Sequence, residues 1–206
     1  MLIQSSVGQP TQQGIGATPN LRSGKGGDVI ASELHSKYYE QTYNGNVFFV
    51  ANQVAVTTTI GLATTYTGLV LTNPIGSTVN LAILKATFNQ SVLQTTQPMA
   101  FGLATGFNAT TQVTHSGAIT PRTAKVGSGA TPQALADNSA TLPTAPIYTH
   151  FIGAGSTATA DATFGFVDLD ASLLIGPGGY ICWVCPTQVS VTTSLWFSFS
   201  WEETPI

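Results

Sequence analysis

Charged side chains are scarce in this sequence: they make up 7% of its 206 residues, against roughly 25% in an ordinary soluble domain. The six Lys and Arg residues are dispersed and the net charge is −3. The chain therefore lacks the clustered cations that neutralise a phosphate backbone, and nucleic acid is not expected as a partner. Cysteine is nearly absent too. Two cysteines spaced three apart are no disulfide framework for a chain of this length. No apolar run reaches the ~18 residues of a membrane-spanning helix, and Met1 opens MLIQSSVGQPTQQG rather than a basic and then apolar leader. Neither membrane insertion nor secretion by a leader is expected. A chain this poor in charge stays in solution either through its Thr, Ser, Asn and Gln side chains or because partner subunits cover much of its surface. The second is favoured.

Helical periodicity is also nearly missing. Residues 1–31 mix Gly, Gln, Ser, Thr and Pro with few large apolar groups, too few to offset the entropy of ordering them alone, so they read as an extended N-terminal arm that orders against a partner. SELHSKYYEQ then allows a helical turn or two, with Ser32 as N-cap. Residues 32–206 read as a single β domain. NVFFVANQVAVTT is rich in β-branched and aromatic residues, and GLVLTNPIGSTVNLAILKATF reads as strand, turn, strand. In that turn Asn73, Pro74 and Gly76 supply the preset φ and a left-handed position. In the second strand Ala82, Leu84, Ala86 and Phe88 share one face, opposite Leu81, Ile83, Lys85 and Thr87.

The pattern fails over 108–146, an Ala, Thr, Gly, Ser and Pro stretch that is either a long functional insert or hides short strands, for example near Gln112-Val113-Thr114. It returns in ATFGFVDLDASLLIG, YICWVCPTQ and a final run in which Leu195, Phe197, Phe199 and Trp201 alternate with Trp196, Ser198 and Ser200. Many short strands with turn signals between them indicate a β-sandwich or barrel.

No motif here carries catalytic chemistry. Cys182-Trp183-Val184-Cys185 has dithiol spacing, but a reactive first thiol needs a helix N-terminus, whereas this run reads as a strand whose residues three apart face opposite ways. Two buried, unbridged thiols are expected. SGKGGD at 23–28 lacks the preceding strand and following helix of a phosphate loop. His35, His115 and His150 are scattered, and Ser156 in GAGST lacks the following glycine of a nucleophile elbow. Asp168 and Asp170 lack a Ca²⁺ ligand loop, and Glu202-Glu203 reads as an exposed strand end. No catalytic, metal or cofactor-binding residue is expected. Tyr38, Tyr39, Tyr43 and Trp196 are either interface anchors, the favoured reading, or a carbohydrate platform; Leu21 and Arg22 are the arm residues assigned to partner contact.

The order of parts resembles structural proteins of tailed-bacteriophage virions, most closely their jelly-roll cement or decoration proteins. It is carried by the Gly-rich arm, SELHSKYYEQTYNGNVFFVANQ, VTTTIGLATTYTGLVLTNPIGSTVNLAILKATF, an Ala/Thr/Gly loop, LLIGPGGYICWV and LWFSFSWEE. The resemblance implies an all-β, jelly-roll-like antiparallel β-sandwich with an extended arm, in which Pro177, Gly178 and Gly179 turn the chain into a core strand. It implies a non-enzymatic protein without cofactor on the outer capsid surface of a virion, made in the host cytoplasm. Its partners would be the major capsid protein and copies of itself, a homotrimer ahead of a homodimer. The alternative is a fibre, spike or receptor-binding part that touches a host glycan.

Overall fold

The computed structural model describes residues 5–6, 21–22, 37–58, 61–90, 100–154, 164–186 and 195–206. The chain separates into two compact units, residues 1–39 and 40–206. In the first, β1 (Ser5–Ser6) pairs in parallel with β2 (Leu21–Arg22). The helical turn expected within SELHSKYYEQ (32–41) falls at the end of that segment and beyond it, as α1 (Tyr39–Asn44); Ser32, assigned as its N-cap, lies outside the described residues. Then come β3 (Val47–Ala51), β4 (Thr65–Thr72), β5 (Val79–Gln90) and β6 (Ala100–Phe107). The aperiodic stretch contains β7 (Thr114–His115), β8 (Ala118–Ile119), β9 (Arg122–Thr123) and β10 (Leu135–Thr141). Finally β11 (Ile147–Ala154), β12 (Phe164–Ile175), β13 (Gly179–Val184) and β14 (Leu195–Pro205) complete the chain.

The strands of the second unit form two antiparallel sheets, a sandwich ordered β11-β6-β13-β4-β10-β7, with β8 also on β10, and β12-β5-β14-β3-β9. Set the insert strands β7 to β10 aside and number the remaining eight in sequence. Their orders are then 2-7-4-5 and 1-8-3-6, the interleaving of a jelly roll. The insert adds β10, β7 and β8 beside β4 in one sheet and β9 beside β3 in the other, at the ends opposite β11 and β12.

The core lies between the sheets. The indole of Trp183, from central strand β13, stacks on Phe197 at 5.4 Å and Phe199 at 6.1 Å and meets the edge of Phe88 at 5.5 Å. Phe88 in turn stacks on Phe101 at 4.2 Å. The inward face of β5 is neither of the two sequence alternations. Leu81 and Ile83 point into the core, and so do Ala86 and Phe88. The register explains this: Ile83 pairs Trp201 while Lys85 pairs the adjacent Ser200, so Leu84 is the extra residue of a bulge that shifts the pleat by one.

A second bulge interrupts β12 between Asp168 and Leu173. There Asp170 (φ 47°) and Ala171 (φ 63°) are consecutive residues with left-handed φ. On β11 the register shifts twice, between Tyr148 and His150 and between Phe151 and Gly153.

The two turns read from the sequence meet at one corner. Pro177 and Gly178 occupy the centre of a turn closed by Gly179 N–H donating to the Gly176 carbonyl (2.9 Å). Gly178 has φ +81°, as position three of a type II turn requires, and a Cβ there would come within 2.5 Å of the Asn108 carbonyl oxygen. The other turn closes from Ser77 N–H to the Pro74 carbonyl (3.0 Å). Gly76 is absent from the left-handed region, so this turn does not need the conformational freedom assigned to it. Asn73 ties the two together. Its N–H donates to the Gly179 carbonyl (2.9 Å), its carbonyl accepts from Gly178 N–H (2.8 Å), and its side-chain amide donates to the carbonyls of Val79 (2.8 Å) and Ile175 (2.9 Å). Replacing Asn73 with Ala removes both side-chain donors at a fully buried position. Urea unfolding is expected to show a loss of about 1–3 kcal/mol, the cost of the Ile175 carbonyl left without this donor, since the Val79 carbonyl keeps the Ser77 hydroxyl (3.2 Å).

Candidate interaction surface

The two sheets treat their outer faces differently. On the β11-β6-β13-β4-β10-β7 sheet the outer face is covered by its own chain: Val70, Ala104, Cys182 and Val184 are buried beneath a second apolar layer that includes Tyr66, Tyr180, Val113 and Leu142. Tyr180 lies across Gly106 and Tyr66 across Gly68, where any Cβ would collide with the phenol. Both hydroxyls find backbone acceptors. Tyr66 donates to the Trp183 carbonyl (2.5 Å) and Tyr180 to that of Thr144 (2.6 Å). Burial raises the pKa of both phenols above the ordinary tyrosine value, so they remain neutral donors.

This layering decides the two cysteines. Cys182 faces the second layer and Cys185 the main core, on opposite sides of one sheet, and no disulfide joins them. Burial drives the Cys182 pKa far up, which keeps the thiol protonated and unreactive.

The insert is held by carboxylates. Fully buried Asp137 on β10 receives His115 of β7, with Nδ1 2.5 Å from Oδ2. Glu203, read from the sequence as an exposed end, is instead buried: its Oε1 accepts the N–H groups of Gln133 (2.9 Å) and Ala134 (3.0 Å). An acidic pair at a chain end carries no sign of the loop that will reach it. Lys125 completes the attachment, donating to the Tyr43 carbonyl (2.9 Å) with its ammonium 4.3 Å from the centre of the Tyr43 ring.

Among the described residues, the outer face of the β12-β5-β14-β3-β9 sheet carries no second apolar cluster of this kind. Strand register sets its side chains in rows that include Phe164, Asn89 and Trp196; then Phe166, Thr87, Ser198 and Ala51; then Asp168, Lys85, Ser200, Phe49 and Arg122; and, past the bulge, Leu174, Ala82, Glu202 and Val47. The four aromatics are exposed in part, Phe164 75%, Phe166 57%, Phe49 41% and Trp196 36%. Between them runs a floor of small polar residues in which Thr87 and Ser198 hydroxyls share a hydrogen bond. Lys85 sits 3.2 Å from Asp168 and 5.0 Å from the centre of the Phe166 ring. Beside this face, Phe107, Ile147, Leu173, Leu174 and Ile175 line a groove of about 450 Å³ where β6, β11 and β12 meet.

Of the residues assigned to partner contact, Trp196 lies on the open face, Tyr43 beside Lys125, and Tyr38 and Tyr39 at or just before the start of α1. Leu21 and Arg22 form β2. Asp168 is engaged by Lys85, and the histidines are not gathered into a site: His115 is held by Asp137, His150 lies on β11, and His35 is outside the described residues. Ser156 and residues 23–28 are outside them as well. Among the described residues no group of three or more His, Cys, Asp and Glu is placed to hold a metal ion, and no helix is long and apolar enough to cross a membrane. Sequence reasoning missed Phe49, Phe164 and Phe166. The available signal was FGFVDLD, where aromatics alternate with Gly and Val and the larger residues take the outer side.

No protein-family model, curated protein or solved structure matches the chain.

Two outcomes follow from the buried groups. His115→Ala leaves the Asp137 carboxylate buried without its partner; a loss of about 3 kcal/mol in urea unfolding is expected, the low end for a broken buried pair because His115 is partly solvated. The double replacement His115→Ala/Asp137→Ala should recover part of that loss. Thiol titration should find two reactive groups in denaturant and essentially none in the native protein, and fewer than two in denaturant would reveal a disulfide.

Proposed function

We propose that this chain is a structural virion protein that binds the outer surface of a bacteriophage capsid and stabilises it. The observation that carries the reading is the amount of large apolar surface left open on a chain with so few charges. Besides the aromatic rows, Phe107, Ile147, Phe151 and Leu174 are all exposed, and contiguous exposed apolar surface marks an interaction site. The jelly roll supports the reading as a fold used in capsid proteins, although the same fold also serves lectins, so it cannot carry the conclusion alone.

Such a protein works by area. Each copy removes apolar surface from water against capsid subunits and against its own symmetry mates, at ~25 cal/mol per Å². Repeated over a closed shell, contacts that are weak singly become tight together, because every further contact is made at high effective concentration. Residues 1–31 supply an arm that orders on the neighbouring subunit, and a homotrimer is favoured over a homodimer.

The experiment is a truncation lacking residues 1–30, added to particles that lack the protein. The truncated chain should keep the thermal unfolding of the full chain while its occupancy on particles falls by tenfold or more. Unchanged occupancy would remove the arm from the binding. Absence of the full-length protein from purified virions would overturn the whole reading.

A further inference from the structure

The apolar layer between the sheets is incomplete on the side where β6 and β11 approach β12. Thr105 pairs both the core residue Ile181 and Ile147, so the pleat turns Ile147, and Phe107 two residues beyond Thr105, to the inner face of their sheet. Opposite them Leu173 and Ile175 pair the core residues Ile83 and Leu81. Side chains on an inner face belong in the core, yet Phe107 is 61% exposed and Ile147 71%. Together with Leu173, Leu174 and Ile175 they line the groove of about 450 Å³. These residues lie at the end of β6, the start of β11 and the end of β12, the opposite ends from segments 91–99 and 155–163 outside the described residues. We infer that the groove holds the alkyl chain of a neutral single-chain amphiphile, which completes the layer between the sheets.

Size and lining point to a small apolar ligand. The volume falls within the roughly 300–1,000 Å³ of small-molecule sites, which are apolar with a few polar groups. Apart from Phe107 and three glycines the walls are aliphatic, and Thr105 is the only polar side chain among them. Its hydroxyl can donate or accept one hydrogen bond, enough for one hydroxyl head.

The edges of the groove disfavour a peptide. Strands β11 and β12 end their sheets, but the register shift on β11 leaves only Ile147 and Tyr148 in regular pairing before it, and that on β12 leaves only Leu173 to Ile175 after it. An added strand would find two or three residues of ladder on either side and then a bulge. An alkyl chain needs no backbone partner.

Charge selects the head group. No lining residue is ionisable. The ionisable groups placed nearest by the register are acidic: exposed Asp170 in the β12 bulge, and Glu202, two strands across from Leu174, a separation of roughly 9–10 Å. Lys85, further along β5, is engaged by Asp168. A carboxylate or phosphate head would meet acids with no cation to offset them, whereas a neutral head meets no penalty.

The test titrates the purified full chain with 1-hexanol, 1-octanol and 1-decanol by calorimetry, with decanoate as the charged counterpart. Saturable binding is expected, tightening by about two- to fourfold for each added methylene, the upper value being that of a fully buried CH₂. Decanoate should bind at least fivefold more weakly than 1-decanol. Ile147→Trp, which fills the groove, and Phe107→Ala, which removes one wall, should each weaken 1-decanol binding by tenfold or more while the melting temperature stays within a few degrees. Phe151→Ala, on the other face of β11, should leave it unchanged. Absence of saturable 1-decanol binding overturns the proposal, as does an affinity indifferent to chain length or to both groove substitutions. Self-association of the parent that Ile147→Trp abolishes, without 1-decanol binding, would assign the groove to a contact between copies instead. Co-sedimentation with phosphatidylcholine vesicles that Ile147→Trp abolishes, again without 1-decanol binding, would assign it to a bilayer surface. None of these outcomes depends on whether the protein is found on a capsid.

Discussion

The sandwich depends on the packing of Trp183 against Phe88, Phe197 and Phe199, because this is where the middle of one sheet grips the middle of the other. That contact constrains more than the core. Trp183 comes from β13, and the pleat that turns its indole inward turns Cys182 and Val184 outward. A strand whose residues are apolar on both sides needs cover on both sides, and the chain meets this by laying Tyr66 and Tyr180 over glycines on the outer surface. The opposite sheet is under no such demand. Its central strand, β14, has apolar residues on one side and Trp196, Ser198 and Ser200 on the other, so its outer face stays open. The difference between a covered and an uncovered face is therefore a consequence of which strand carries the tryptophan.

The parts of this architecture that are legible in the sequence are those fixed by local chemistry. The alternation in β14 names its inner face because Leu195, Phe197, Phe199 and Trp201 differ so sharply from their neighbours. Gly-Pro-Gly-Gly specifies its turn because the geometry needs a residue with preset φ followed by one free to be left-handed. Other features are decided by contacts distant in sequence. The bulge at Leu84 is set by the register with β14, more than a hundred residues later. The insert strands are two residues long in three cases and made mostly of small side chains, so no period exists to be detected, and they form because β10 and β3 present free edges. Nothing in Asp137 or Glu203 alone indicates that one will bury against a histidine and the other will receive two amides of the insert.

The aromatic face shows the same limit from the other side. Composition shows that the chain has few charges to spread over its surface, but not where its exposed apolar residues lie. Phe164 and Phe166 look like core residues in the sequence, and it is the opposition of Val167 to Ala86 and of Asp168 to Lys85 that turns them outward.

The bulges described in β11 and β12 bear on how a chain with so few charges avoids pairing edge to edge. Each sheet ends in an irregular strand on one side and in two-residue strands on the other. A left-handed pair at Asp170 and Ala171 breaks the straight row of amides that a foreign strand would need for docking, and very short edges offer too little ladder to template one. Charge repulsion, the usual guard against runaway polymerisation, is almost unavailable here. The backbone takes over that duty: neither edge of the sandwich offers a foreign strand a long, regular ladder on which a fibril-like sheet could grow.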